Sequence, residues 1–564
     1  MLTNTKVRPH FRPNMDLVTF EVLRHALVNV TEEMALTIRR VAYSTNIKTR
    51  ADFSCAFFDA NLRCIAQSFA QPAHLVAMAT IVPNVIRELG ISNLRPGDSL
   101  LVNDPHKGSS HLNDITCVTP VFHSDSLVGF LANMAHHVDV GGSTPASLGL
   151  NRELCQEGVV LPGTIIARNG KIDPNVLDFF LANIRAPRET AGDLRAQFSA
   201  NIVGSRRVAD LLERYNLEEF SHFCDELIAY TERWTEREIR NLPEGVYQAE
   251  GYRDDDGFSD EPIKLCVAVE IRDGYMTLDV SGSSLQRRSS LNCTRVMTAC
   301  GLAFIAKSLT HKGIPVNSGF LSRLRVTGPD GLVCTAQRPA AVYGGWEITL
   351  KITELSWLAL YQVLPERVAA CGKGIMLNVG FGGINPRNGE YYCYMESIGG
   401  GGGARPTKDG CSAVQTNIHN TENAPIEEVE MNYPVRIGRY ELIQDSCGTG
   451  KYRGGLGIRR DFIFPTADCT FTILSDGRIF RPWGLAGGTE GSVSRFILDP
   501  DGEARELPSK ITIEVQKGGS VSIQTPGGGG FGLPAERDHE AMLADVRDGK
   551  ISRRMAEEYH GVAR

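Results

Sequence analysis

Residues 101–142 read LVNDPHKGSSHLNDITCVTPVFHSDSLVGFLANMAHHVDVGG. Two β-rich runs, Ile115–Phe122 and Leu127–Met134, lie in this segment on either side of a short polar turn. Runs of this length, rich in β-branched and aromatic residues and bounded by turn residues, are typical of strands. The turn contains His123 and Asp125, which we interpret as loop residues. The segment therefore predicts two strands with chemically capable side chains at their ends.

Helical patterns flank these strands along the sequence. Residues 16–42 repeat apolar side chains at a three/four spacing, which draws one stripe along a helix, and Asp16 is in position to cap it. Residues 73–90 also have a helical pattern. Shorter runs such as Cys55–Phe58 and Ser99–Val102 have the composition of strands. Together these elements predict an α+β fold for this part of the chain.

The length of 564 residues allows about two to four domains. Helical patterns over residues 206–240 end at the sequence LPEG, which places a boundary near residue 241. Strand and helix patterns follow, then a Gly-rich and β-rich stretch, then a charged helical tail. We therefore predict a multidomain chain, with a mixed α/β N-terminal region and a Gly-rich, β-rich C-terminal half. Its predicted parts are an N-terminal domain (1–240), a middle α+β domain (241–390), a Gly-rich β domain (391–535) and a helical tail (536–564).

Two glycine runs, Gly399–Gly403 and Gly527–Gly530, mark places where the backbone turns tightly or approaches another group closely. A phosphate cradle is one interpretation, but neither run is followed by the Lys-Ser/Thr of a P-loop. The segment Gly448–Tyr452 (GTGKY) lacks the first glycine and the hydroxyl of that motif. We favour structural turns and expect no Walker-type ATP site in this chain.

Composition argues against several classes of protein. The net charge of -7, with basic residues spread along the chain, argues against a nucleic-acid surface. No stretch approaches the roughly 20 apolar residues of a membrane span, and Met1–Met15 has no apolar leader segment. We therefore expect a cytoplasmic protein that binds neither nucleic acid nor membranes. None of the 14 cysteines forms a CxxC pair, so buried reduced thiols are expected instead of disulfides or zinc knuckles.

Histidine and aspartate are crowded into residues 101–142. The set comprises His106, His111, His136, His137, Asp104, Asp114 and Asp139. His111 and Asp114 lie three residues apart in a turn, a spacing that lets both side chains converge on one point. His136 and His137 follow the second strand, and in extended backbone their side chains face opposite ways. One of these two can join the cluster, and the other can stand behind it or act as an acid or base.

Imidazole and carboxylate ligands suit Zn, Mn, Fe or Co in an open site where water completes the shell. A metal held in this way lowers the pKa of bound water and polarises a carbonyl, as a hydrolase requires. The alternative is that these polar residues only cap strands and satisfy turn backbone. For His111, Asp114 and His136 taken together, the interpretation as a divalent-metal site is the stronger one. His74 is interpreted as a core or helix-cap histidine.

Several long and unusual segments extend almost from one end of the chain to the other. They are NIKTRADFSCAFFDA (46–60), PGDSLLVNDPHKGSSHLNDITCVTPVF (96–122), AHHVDVGG (135–142), QEGVVLP (156–162), YRGGLGIRRDF (452–462), ILSDGRIFRPWGLAGG (473–488) and TPGGGGFG (525–532). In these segments the chain resembles the hydantoinase B/oxoprolinase family. Members include the metal-bearing subunit of ATP-dependent N-methylhydantoinase and, more distantly, the large subunits of acetone and acetophenone carboxylases. Two segments depart from the family pattern, NDPHKGSSH (103–111) and AVYGGWEITLKI (341–352).

The resemblance implies a metal held by Asp52, His111, Asp114 and His136. It also implies an ATP-binding partner, a hydantoinase A-type subunit, in a hetero-oligomer. Such a partner phosphorylates a small cyclic amide with ATP, and the metal-bearing subunit then hydrolyses the activated compound. Phosphorylation is chemically reasonable, because resonance makes an unstrained cyclic amide a poor electrophile.

We therefore expect a metal-dependent subunit of an ATP-dependent hydrolase for cyclic amides of the hydantoin, lactam or oxoproline type. His137, Asp139 and Glu157 are the candidate proton carriers. One alternative is a subunit of an ATP-dependent ketone carboxylase, although such subunits tend to be longer than 564 residues. The other is a non-catalytic scaffold subunit, in which the His/Asp cluster is only structural.

Overall fold

The computed structural model describes residues 15–68 and 72–560. Residues 1–14, for which the sequence predicted no apolar leader segment, lie outside the described residues. The last four residues of the predicted tail, 561–564, lie outside them too.

The N-terminal part is built on one sheet of seven strands. The strands are β1 (Phe53–Asp59), β2 (Cys64–Gln67), β3 (Ser99–Val102), β4 (Asp114–His123), β5 (Ser126–His136), β6 (Pro162–Arg168) and β7 (Lys171–Ile172). Their order is β2-β1-β5-β4-β3-β6-β7, and all neighbours are antiparallel. The predicted strands over 115–122 and 127–134 are confirmed as the central hairpin β4–β5.

Helices cover both faces of this sheet. They are α1 (Leu17–Val41), α2 (Thr45–Lys48), α3 (Pro72–Leu89), α4 (Pro174–Leu181), α5 (Pro187–Leu212) and α6 (Leu217–Arg240). Phe57 and Phe58, neighbours in β1, point to opposite faces: Phe57 packs with α1, α5 and α6, whereas Phe58 packs with α3. Strands buried on both sides are apolar at nearly every position, which explains the run LVGFLANMA at 127–135. Asp16 caps α1 as predicted, since its Oδ2 accepts the Thr19 N–H at 2.8 Å.

The middle part adds a smaller sheet and three helices. The elements are β8 (Gly245–Arg253), β9 (Ile263–Arg272), β10 (Tyr275–Asp279), α7 (Arg295–Leu309), α8 (Ser318–Leu321), β11 (Leu324–Thr327) and α9 (Gly345–Tyr361). The sheet order is β11-β10-β9-β8, and only β10 and β11 are parallel. Helix α9 packs on β8 and β9, and α7 contacts both α9 and α3. The helix α9 is buried along nearly its whole length, from Trp346 to Leu360.

The C-terminal part contains two further sheets. Its strands are β12 (Asn378–Ile384), β13 (Tyr391–Ser397), β14 (Arg436–Leu442), β15 (Ile458–Ile463), β16 (Cys469–Leu474), β17 (Arg495–Leu498), β18 (Arg505–Glu506), β19 (Lys510–Val515) and β20 (Ser520–Gln524). The sheet orders are β13-β12-β16-β19 and β14-β15-β20-β17-β18. One core joins the two sheets, and in it Phe381 lies 5.7 Å from Phe471 and 5.6 Å from Phe462 by ring centroids. Three short helices complete this part: α10 (Ile426–Asn432), α11 (His539–Arg547) and α12 (Arg553–His560).

The two glycine runs lie against one another rather than at turns. The N–H of Gly528 donates to the carbonyl of Gly455, and the N–H of Gly455 donates to the carbonyl of Gly402, at 2.9 and 2.8 Å. A Cβ on Gly528 would lie 2.1 Å from the Gly402 oxygen, and a Cβ on Gly401 would lie 2.2 Å from the Gly455 oxygen. The expectation of structural turns is therefore wrong for these runs, because what they require is close backbone approach. Their amides bond to carbonyls, which also argues against a phosphate cradle.

The mixed α and β architecture agrees with the predicted fold class. Most predicted elements are confirmed within a few residues, including the helices over 16–42 and 73–90. One hydrophobic core, however, joins Leu148, Ile305 and Leu474, residues of three different predicted domains. The three boundaries between the four predicted domains remain a prediction. No helix in the described ranges 15–68 and 72–560 is long and apolar enough to cross a bilayer.

The close packing of the glycine segments yields a stability prediction. Gly528→Ala is expected to lower the thermal unfolding midpoint and to cost about 1–3 kcal/mol or more, because the new methyl group would overlap a carbonyl oxygen. Gly502→Ala is the matched control, since its Cβ would meet nothing closer than 3.6 Å. Thermal denaturation followed by circular dichroism measures both. Equal midpoints for the two variants would contradict the packing described above.

Candidate metal centre

Three neighbouring strands of the seven-stranded sheet have polar residues at the same end of the sheet. Strand β5 ends at His136, and Asp114, the first residue of β4, pairs with it in register. Asp52 directly precedes β1, and its carbonyl accepts the His136 N–H at 3.0 Å. The antiparallel arrangement thus places the start of β1, the end of β5 and the start of β4 side by side.

The alternation of side chains in β5 separates the two adjacent histidines. His136 follows Ala132 and Met134 onto the face covered by α3. His137 instead lies at the α5 side, where its Nε2 lies 2.9 Å from Oε1 of Gln197. The structure therefore brings His136, and not His137, to His111 and Asp114.

His111, Asp114 and His136 form a compact, buried group. One potential ligand atom from each lies within 4.8 Å of the others. The imidazole rings of His111 and His136 are 4.9 Å apart by centroids, and Nδ1 of His111 is 3.1 Å from Oδ2 of Asp114. Ligand bonds of about 2 Å place the ligands of one ion up to about 4 Å apart, so the three side chains need to move inward only slightly to share an ion.

Two unpaired atoms show that these residues suit a cation. Oδ1 of Asp114 and Nε2 of His136 are buried and have no hydrogen-bond partner among the described residues. A buried polar atom left unpaired costs about 1–3 kcal/mol, and a divalent ion would satisfy both atoms at once. Nδ1 of His136 lies 3.3 Å from the Asn46 amide, which orients the ring, and the Ser110 hydroxyl donates to Oδ2 of Asp114.

Asp52 and His74 complete the polar group. Asp52 is buried and lines the same small cavity as His111 and His136. Nε2 of His74 lies 3.4 Å from Oδ2 of Asp114 and 3.9 Å from Oδ1 of Asp52. The sequence interpretation of His74 as a core histidine captured its burial but missed these contacts. The sequence does not reveal that the first turn of α3, which contains His74, lies over the end of the sheet where these strands meet.

The charges within the group favour metal binding. Burial by itself would raise the pKa of Asp114, but the imidazoles of His111 and His74 hold it well below its ordinary value. Burial lowers the pKa of His136 to about 4. Burial also opposes the charged form of His74, yet the carboxylates of Asp114 and Asp52 raise its pKa. At neutral pH the cluster therefore offers an ionised carboxylate and a neutral imidazole, the forms that bind metals.

Residues distant in sequence close the cavity beside the cluster. The cavity measures about 10 Å³, room for about one water molecule. In addition to Asp52, His111 and His136, it is lined by Trp346, Met376, Asn378, Met395, Ser397 and His419. His419 is buried, and its Nδ1 has no hydrogen-bond partner in the described part of the chain. Sequence reasoning missed all six of these residues, because nothing in their local pattern indicates where they fold.

The three candidate proton carriers are buried but lie outside the lining of this cavity. His137 contacts Gln197, as described above. Asp139 pairs with Arg185 at 3.3 Å, and burial raises its pKa to about 6. Burial raises the pKa of Glu157 to about 7, and its carboxylate accepts the backbone N–H groups of residues 342 and 343. The Tyr343 ring packs against the His111 ring at a tilt of 53°, with centroids 5.0 Å apart. Glu157 therefore holds the backbone of a residue that contacts His111.

Comparison with known sequences identifies proteins that are similar to this chain. The hydantoinase B/oxoprolinase family pattern matches residues 16–534. A protein of Pseudomonas sp. strain NS671, described as a candidate B-type subunit of a D-/L-hydantoinase, is 33% identical over 97% of this chain and 95% of that protein. The 5-oxoprolinase 1 of Arabidopsis thaliana is 31% identical over 92% of this chain, but the match spans only 42% of that longer protein.

Solved structures share the architecture. The ATP-dependent caprolactamase of Pseudomonas jessenii superposes with a TM-score of 0.89 at 28% identity, over 98% of this chain and 97% of that chain. A nucleotide-free acetone carboxylase superposes with a TM-score of 0.90 over 97% of this chain and 79% of that chain. Identity to the carboxylase is only 20%, so that likeness concerns the fold alone.

The cluster geometry predicts the metal content of the purified protein. Wild-type chain is expected to carry about one divalent ion, and His111→Ala to lose most of it, because the remaining groups no longer surround a cation. His123→Ala is the control, since His123 is the last residue of β4, at the opposite end of the strand from Asp114. The sequence interpretation of His123 as a loop residue is therefore wrong, because it pairs in register with Ser126 of β5. Elemental analysis by inductively coupled plasma mass spectrometry measures all three proteins. Equal metal content in wild type and His111→Ala would remove the candidate site.

Proposed function

The chain belongs to the hydantoinase B/oxoprolinase family, and from that premise we propose that it is the metal-bearing subunit of an ATP-dependent hydrolase that opens cyclic amides. The substrate class comprises hydantoins, lactams and oxoproline-type rings. The observation that carries the proposal is the buried cluster of His111, Asp114 and His136 beside a small cavity. Asp52 is the proposed fourth ligand, since it lines the same cavity.

The bound divalent ion, of the Zn, Mn, Fe or Co class, would supply Lewis acidity and lower the pKa of a coordinated water. The chain's own residues hold and shape that site. Asn46 and Ser110 orient His136 and Asp114, and Tyr343 and Trp346 pack on the His111 ring with centroids at 5.0 and 6.1 Å. These aromatic walls limit the water beside the cluster, which strengthens electrostatic interactions there.

The proposed partner is an ATP-binding subunit of the hydantoinase A type, assembled with this chain in a hetero-oligomer. Amide resonance makes an unstrained ring a poor electrophile, and phosphorylation of its oxygen weakens that resonance. Two comparisons support this division of labour. The similar caprolactamase is described as ATP-dependent, and the match to the Arabidopsis 5-oxoprolinase leaves more than half of that protein for other tasks.

We propose His419 as the residue that holds or moves a proton during ring opening. It lines the cavity together with His111 and His136, and its Nδ1 has no partner within residues 15–68 and 72–560. The roles predicted for His137, Asp139 and Glu157 remain predictions. Their hydrogen bonds and ion pairs direct them to other groups, so the geometry favours His419.

Ring opening is the direct test of the proposed function. The chain, assembled with its ATP-binding partner, is expected to convert at least one of hydantoin, 5-oxoproline and ε-caprolactam to the ring-opened acid in the presence of ATP. His111→Ala should lower the rate at least about 100-fold, whereas His123→Ala should match wild type. Product is measured by mass spectrometry. Incorporation of labelled bicarbonate without ring opening would instead support a carboxylase, and full activity of His111→Ala would support a scaffold role for the cluster.

The role of His419 predicts a different kinetic signature. His419→Gln keeps a polar side chain of similar size but cannot carry a proton, so kcat should fall about 100-fold while KM changes little. Metal content should equal that of wild type, because His419 is not one of the clustered ligands. Steady-state kinetics and elemental analysis on the same preparation check both points. An unchanged kcat would exclude the proposed proton transfer through this residue.

A further inference from the structure

A second cavity, of about 480 Å³, lies beside α9 and is lined in part by side chains that reach the surface. This volume falls within the range of about 300–1,000 Å³ that is typical of small-molecule sites. Phe304 of α7, Trp357 of α9 and Trp483 give it aromatic walls. Glu354 and Asn417 add polar groups, so the cavity combines apolar walls with a few polar contacts, as ligand sites do.

The second cavity and the metal cavity are built on the same two pieces of chain. Helix α9 supplies Trp346 to the metal cavity and, about 12 Å further along its axis, Glu354 to the second cavity. The segment 416–419 supplies His419 to the former and Asn417 to the latter. Two residues of extended chain span at most about 7 Å, so the two cavities are neighbours.

Glu354 is a buried carboxylate that is incompletely paired. Its side chain is 3% exposed, and its Oε1 accepts from the Asn417 amide at 3.5 Å. The Cys371 thiol, a weak donor, interacts with the carboxylate, and Oε2 has no hydrogen-bond partner among the described residues. Lys351, one turn earlier on α9, forms no salt bridge with Glu354 in the described ranges, and its ammonium lies 4.6 Å over the Trp483 ring. A cationic or N–H donor on a ligand would therefore complete this group.

Two arginines at the same cavity offer the opposite charge. Arg405 is half-buried and Arg367 is exposed, and both line the cavity. Arg405 contacts the Cys411 sulfur at 3.5 Å, and Arg367 donates to the Leu309 carbonyl at 2.9 Å. Neither guanidinium pairs with a carboxylate in the part of the chain that the structure describes, so both remain able to bind one from a ligand.

We propose that this cavity binds a small ω-amino or ureido acid, with Glu354 on its ammonium or N–H end and Arg405 on its carboxylate. Phe304 and Trp357 would contact the carbon chain between the two ends. Compounds of this class are what ring opening of a lactam or hydantoin yields, so the assignment of the cavity as a product site rests on the proposed function. Its position next to the metal cavity gives the product a site to occupy after hydrolysis.

Calorimetric titration of the full chain, without ATP or partner, tests the proposal. The probes are 6-aminohexanoate and N-carbamoylglycine, with hexanoate and hexylamine as analogues that lack one charged end. Both two-ended compounds are expected to bind at least about 10-fold more tightly than either analogue, since each analogue loses one charge-assisted contact. Hexanoate or hexylamine binding as tightly as 6-aminohexanoate would overturn the proposal.

Variants locate the binding site. Glu354→Gln and Arg405→Met should each weaken 6-aminohexanoate binding at least about 10-fold, whereas the exposed Glu366→Gln should bind as wild type does. Circular dichroism and thermal unfolding establish that each variant is folded. If Glu354→Gln unfolds, the half-buried Arg405→Met variant alone tests whether the cavity is the binding site. Unchanged binding in a folded Arg405→Met would overturn the assignment.

The same variants separate this proposal from the proposed function. His111→Ala should lose ring opening but bind 6-aminohexanoate as wild type does, because it lies in the other cavity. Ring opening by wild type without any binding of the two-ended compounds would overturn the product site alone. Binding without ring opening of any tested amide would overturn the hydrolase and leave the cavity as a site for small amino acids.

Discussion

Two imidazoles and a carboxylate lie where the surrounding protein gives them too few hydrogen-bond partners. His111, Asp114 and His136 are each almost fully buried, and two of their polar atoms have no partner among the described residues. Burial of polar groups in this state is unfavourable unless a further group satisfies them. The hairpin register that pairs Asp114 with His136, and the sheet edge that adds Asp52, impose this arrangement. Asn46, Ser110 and His74 contact the side chains that this arrangement brings together.

Other parts of the molecule pack over the end of the sheet that carries the cluster. Helix α9 places Trp346 against the cluster, and the C-terminal part adds Met395 and His419. Glycine permits the C-terminal part to pack in this way, because several of its backbone segments pass one another at distances that leave no room for a Cβ. At Gly403, for example, a Cβ would lie 1.7 Å from the Ala370 oxygen. Cys371, which follows Ala370, also lies beside Glu354, so the close packing shapes the second cavity as well.

Family membership and local departures from the family pattern answer different questions. Asp52, Asp114 and His136 lie in segments that resemble the family, whereas His111 is the last residue of the departing segment 103–111. An enzyme structure with 28% identity has the same fold. The departing segment 341–352 supplies Tyr343 and Trp346, which pack on His111, and Glu347, which accepts the N–H groups of residues 376 and 377. The candidate metal ligands and the aromatic side chains that pack on His111 therefore lie in different stretches of the chain.

The sequence by itself determined the local elements and the pair His111 and Asp114, with one of the two adjacent histidines His136 and His137 beside them. The periodicity of residues 16–42, the apolar runs of the central hairpin and the three-residue spacing of His111 and Asp114 are short-range signals, and short-range signals can be recognised along a single chain. Only the tertiary structure decided that His136 rather than His137 joins the cluster, because that depends on which face of β5 each residue takes. Only the tertiary structure brought in His74, Trp346 and His419, since contacts between residues so far apart arise from packing and leave no periodic trace. The sequence also could not show why the glycine runs are needed, because the close contacts that require glycine are made with segments distant along the chain.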